Sequence, residues 1–191
     1  MTSSFPRYAL ALGLLAGLVF SSPVRAQGSD TLAPVIVDTL IQPYLRIQQT
    51  LAEDDFDGAT SRGEDFLQML SVAPGTDRME GFRDLFEPTE DLAEARNLGA
   101  ARRAFADLSA QFIAVVKEVG TLESVVVMHC PMAFDGDGAE WIQRGNQPSN
   151  PYFGAAMLTC GEVKDELGPG FDFEEEPSAS ETPAPTPPGV E

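Results

Sequence analysis

Basic, sulfur-bearing and imidazole side chains are scarce in this chain. Its 191 residues hold one histidine, two cysteines and one tryptophan, and 12 lysines and arginines face 30 acids, for a formal net charge of −18. A field of that sign repels phosphate backbones and the few cations do not cluster, so nucleic acid is excluded as a partner. An acidic surface concentrates cations locally, but its main effect is to keep a protein in solution. Long apolar runs are missing as well. The longest, Tyr8–Phe20 ("YALALGLLAGLVF"), falls short of the roughly twenty residues a membrane helix needs. Arg7 precedes it and "SSPVRAQ" follows, with a small-residue cleavage site at Val24-Arg25-Ala26. Residues 1–26 therefore read as a secretory signal. No cysteine stands near that site, so no lipid anchor is expected. The expected product is secreted, periplasmic, and not inserted in a membrane after cleavage.

No internal repeat is present, and turn-rich, polar segments divide what remains. Residues 27–168 are long enough for one domain with a core of its own. Residues 169–191 ("PGFDFEEEPSASETPAPTPPGVE") are rich in Pro, Glu, Ser and Thr, and that composition predicts a disordered acidic tail.

Within the domain the apolar residues fall at helical spacing. Val37, Leu40, Ile41, Tyr44 and Leu51 mark a first helix, which Pro43 either kinks or opens. Phe56, Ala59, Gly63, Phe66, Leu67 and Leu70 mark a second, and Met79, Phe82, Leu85 and Phe86 a third that resumes through Leu92 and Ala95. The cleanest seam is Leu98, Ala101, Phe105, Leu108, Phe112, Val115 and Val119, in alternating three- and four-residue steps. The fold expected is mainly α: an antiparallel, up-down bundle of four-helix type, with an irregular C-terminal segment carrying a short strand and short helices. No nucleophile with a matching base can be assembled in it, so an enzyme is not expected.

The chemistry-bearing residues gather after Gly120. "VVVMHCPMAF" (Val125–Phe134) contains the one histidine, the first cysteine and two methionines; "NPYFGAAMLTCG" (Asn150–Gly161) contains the second cysteine, three residues after Met157. "SVVVMHC" is β-branched and reads as a strand. "DGDGAEWIQ" lacks the glycine and glutamate that an EF-hand calcium loop requires at its sixth and twelfth positions. It reads instead as a helix start, with Asp137 and Glu140 as a capping box and Trp141 packed back on the bundle. "AAMLTCG" reads as a short helix with Met157 and Cys160 on one face.

Two interpretations follow from this inventory. Thiolate and thioether are soft donors suited to Cu(I) or Ag(I), so Cys130, Met132, Met157 and Cys160 could surround one ion. His129 is a fifth candidate, although strand alternation sends it to the face opposite Cys130. Alternatively, two cysteines in an oxidising compartment pair as a disulfide, Cys130 with Cys160. In that case Trp141, Tyr152 and Phe153 would form a surface for a partner.

The segments "CPMAF" (130–134), "GAEWIQ" (138–143), "NPYFGAAMLTCGEV" (150–163), "RRAFADLS" (102–109) and "PYLRIQQTLAEDDFDGA" (43–59) resemble the DUF3347 family of bacterial exported proteins. That domain also occurs as a C-terminal extension of CusB-like adaptor subunits of heavy-metal efflux pumps. The resemblance, which spans residues 34–167, implies an association with copper and silver handling. It also implies a heavy-metal efflux subunit or a metallochaperone as partner. The chain lacks the adaptors' hairpin and barrel domains, so it would not bridge pump and channel by itself. The expectation is a periplasmic protein that binds or hands over Cu(I) or Ag(I) through Cys130, Met132, Met157 and Cys160. The alternative is a disulfide-stapled structural or interaction module with no metal of its own.

Overall fold

A computed structural model describes residues 32–76 and 79–169; the stretch read as a signal and nearly all of the acidic tail lie outside the described residues. Helix α1 (Leu32–Ala52) runs through Pro43 without ending, and α2 (Phe56–Val72) follows a three-residue turn. Asp55 caps α2 by accepting the Gly58 N–H at 2.9 Å, leaving the helix to start where the apolar stripe does. The single turn α3 (Glu80–Arg83) leads to α4 (Phe86–Ala93), whose Pro88 sits in the first turn, where no backbone donor is needed. Asn97 then caps α5 (Leu98–Val119), and Gly120 ends it at φ 88°. Neighbouring helices pack α1 on α2, α2 on α4 and α4 on α5.

An aromatic column fills the centre. Tyr44 lies 5.1 Å from Phe105 and 5.0 Å from Phe112 between ring centroids, and Phe112 meets Phe66 edge-on at 6.0 Å. All four are fully buried. Burial pushes the Tyr44 phenol far above its ordinary pKa, and its hydroxyl is paired with Ser109 Oγ at 2.6 Å.

The four-helix bundle expected from the sequence is corrected here to a mixed α and β fold. The chain after α5 forms a three-stranded antiparallel sheet, ordered β2-β1-β3, from β1 (Val125–Cys130), β2 (Ala139–Gln143) and β3 (Glu162–Leu167). The strand over Val125–Cys130 is as expected. The supposed helix from Asp137 is β2 instead, with Trp141 opposite Met128 and Glu140 opposite His129. The physical reason lies in β1: Val125, Val126, Val127 and Met128 are all fully buried. A strand buried that completely must have both its edges paired, because unpaired buried amides are costly. The outer edge of β2 is closed by tyrosines: Tyr44 Oη accepts the Ile142 N–H at 3.1 Å, and Tyr152 Oη donates to the Glu140 carbonyl.

A polar clamp fixes the chain between β2 and β3 to the helices. The Asp54 carboxylate, at φ 61°, accepts from the Arg102 guanidinium and from the Ala155 N–H at 2.9 Å. Arg102 also donates to the Pro151 and Leu51 carbonyls. Gly154 suits the clamp, since at φ 55° a side chain is strained and its Cβ would fall 2.1 Å from Asp54 Oδ1, displacing the carboxylate. The Ala155 N–H first, and Arg102 second, hold the Asp54 carboxyl below its ordinary range. A depressed folded-state pKa contributes stability above the unfolded value of about 3.9 and loses it as pH falls through the folded one. Asp54→Asn should therefore melt below the parent at pH 7, with the gap narrowing below about pH 4. Thermal melts from pH 7 to 2 check this, and a constant gap would contradict it.

Candidate functional site: a paired-cysteine corner

Strand pairing brings the two cysteines together. His129 of β1 stands opposite Glu162 of β3, so the next residue, Cys130, reaches the turn that carries Cys160. Their sulfurs lie 2.7 Å apart as thiols, thirty residues apart in sequence. Cys130 is fully buried at the end of the central strand, and Cys160 is half-buried. The backbone of Cys160 is held on both sides. Its N–H donates to the Met157 carbonyl at 3.0 Å, and its carbonyl accepts from Asn150 Nδ2 at 2.7 Å. Asn150 is itself buried, donates its N–H to the Leu158 carbonyl and accepts the Tyr152 N–H, so one side chain organises the whole turn. The hydrogen bond to Cys130 above all, and then burial, pushes the Cys160 thiol up to about 11. The reduced Cys160 thus stays protonated at neutral pH.

The methionines are placed differently from the sequence expectation. Met132 follows Pro131 off the end of β1 and is 56% exposed, so it does not share a strand face with Cys130. Met157 and Cys160 are joined by a turn after a short 3-10 segment (Gly154–Ala156), not by a helix, because Gly154 at φ 55° and Gly161 at φ 150° bracket the segment with non-helical backbone. Met132 and Met157 nevertheless line one cleft of about 580 Å³, together with Phe134, Tyr152, Phe153 and Arg103.

His129 lies elsewhere, as alternation along β1 requires. It lines a second cleft of about 570 Å³ with Arg103, Asp107, Asp137 and Glu140, and its Nδ1 is buried without a hydrogen-bond partner. It is thus apart from the sulfur pair. Arg103 stacks over Phe134, 5.1 Å from the ring centroid, and the two side chains line both clefts. Among the described residues, no group of three or more His, Cys, Asp or Glu is arranged to hold a metal ion.

The partner surface expected at Trp141, Tyr152 and Phe153 is corrected for its first two members. Trp141 is fully buried and Tyr152 6% exposed; they meet edge-on at 5.7 Å where the sheet joins the bundle, and only Phe153 is partly open. Trp141 Nε1 donates to Gln143 Oε1, and its ring passes so close to Gly161 that a Cβ there would lie 2.7 Å away. Asn150 and Gly161, which organise the corner, are not singled out by their residue types. Their only sequence signals were an Asn-Pro step and a glycine after the cysteine.

The DUF3347 family model, described as a protein of unknown function, matches residues 40–124, the family that the sequence resembles. The match runs from within α1 to the end of the α5–β1 turn, so the cysteine corner lies beyond it. No curated protein and no solved structure matches the chain.

Proposed function

We propose that this protein is an exported interaction module, stapled by a Cys130–Cys160 disulfide, that serves copper and silver homeostasis without holding an ion itself. One observation carries the reading: the sulfurs stand 2.7 Å apart on fixed backbones. Two thiolates sharing an ion at about 2.3 Å each, in tetrahedral geometry, would stand about 3.8 Å apart. The observed approach is closer than two such bonds would set. It suits a bond that closes to about 2.05 Å. Secretion, read from residues 1–26, supplies the oxidising compartment in which such a bond persists. The tie to copper and silver, and to an efflux subunit as partner, rests on the family resemblance.

A second reading has its own support. Met132 and Met157 share a cleft, and thioethers are soft donors for Cu(I) or Ag(I). In the reduced protein, sulfurs that parted by about 1 Å could hold such an ion with one or both methionines.

A double substitution, Met132→Leu with Met157→Leu, separates the two, because the swap preserves volume and costs little stability. Cu(I) affinity is measured against a competing chelator under reducing conditions. The stapled module predicts weak binding in the parent and no change in the variant. Tight binding that falls by about tenfold or more, some 1.4 kcal/mol, would overturn it in favour of the ion site.

A further inference from the structure

The two cysteines differ in access. Cys130 is fully buried in the middle strand of the sheet, with β2 and β3 on either side, whereas Cys160 is half-exposed in the turn before β3.

We propose that the staple is opened and closed by thiol–disulfide exchange at Cys160 with a protein dithiol of the thiol–disulfide oxidoreductase class, Cys130 being the leaving and resolving sulfur. The inference rests on the reading that the pair is bridged. A thiolate of the partner attacks Cys160 Sγ, and a new S–S bond forms as the Cys130–Cys160 bond breaks. Cys130 departs with the bonding electron pair and takes a proton. The partner's second thiolate then attacks its own sulfur in the mixed disulfide, and Cys160 leaves as the second thiol. Two electrons and two protons have passed from the partner dithiol to the bridge, and closure runs the same steps backwards. Attack needs a clear line to the sulfur opposite the leaving group. The half-buried Cys160 meets that need better than the fully buried Cys130.

Neither sulfur has to travel. β1 pairing holds Cys130 beside Ala139, and Asn150 and the Met157 carbonyl hold Cys160. Exchange therefore occurs in the folded protein.

The oxidised full chain is treated with reduced glutathione, quenched in acid, and mapped for the cysteine that carries glutathione. Cys160 should be modified in excess over Cys130 by about a hundredfold. Equal modification, or glutathione mainly on Cys130, overturns the assignment. In Cys130→Ser the remaining thiol should likewise react far faster than in Cys160→Ser; if neither variant folds, the mapping on the unsubstituted chain still decides. Two free thiols before any reductant would instead defeat the bridged reading itself, whereas a bridged pair attacked at Cys130 defeats only this inference.

Discussion

Phe112→Ala should lower the free energy of unfolding by about 3–5 kcal/mol, the cost of deleting a fully buried aromatic ring. Phe112 is the hinge of the aromatic column, in contact with Tyr44 on α1 and Phe66 on α2 from its place on α5. Truncation removes two aromatic contacts and opens a cavity between three helices. It also frees Tyr44, whose hydroxyl closes the edge of β2 at Ile142, so the loss should reach the sheet. Denaturant titration followed by far-UV circular dichroism gives the magnitude. A variant unfolding with the parent would mean that the column does not support the core.

The second large effect belongs to the staple. A bridge closing a loop of thirty residues stabilises the fold by roughly 3–4 kcal/mol on the chain-entropy model. Reduction of the purified protein should remove that amount while leaving the far-UV spectrum unchanged, because Asn150 and the strand ladder hold both cysteines in place without the bond. If reduced and unreduced samples unfold together, no bridge was present to lose.

The helices were legible in the sequence because burial on a helix repeats at a period the chain cannot disguise. The seam from Ala101 through Phe105, Leu108 and Phe112 to Val115 is buried along its length. The sheet was harder to see. β1 announces itself with three valines, but its partners do not resemble strands. Glu162–Leu167 is exposed and mostly charged, and Ala139–Gln143 begins with residues that also suit a helix cap. What fixes them as strands is the demand of β1 for two paired edges, which is a long-range property with no local signature. The same holds for the site. That the two cysteines would meet was one of the open readings, but the turn that presents Cys160 depends on Asn150 and Gly161, whose roles appear only when Trp141 and the β1–β3 register are in place. Met132 stands clear of the sheet because β1 ends at Cys130, ahead of Pro131.

The most direct test of the stapled module is a thiol count on the full chain, purified without reductant, denatured, and assayed before and after reduction. The proposed structure predicts no free thiol before reduction and two afterwards, with one cross-linked peptide joining Cys130 to Cys160 by mass spectrometry. Two reactive thiols in the unreduced, denatured chain would contradict it.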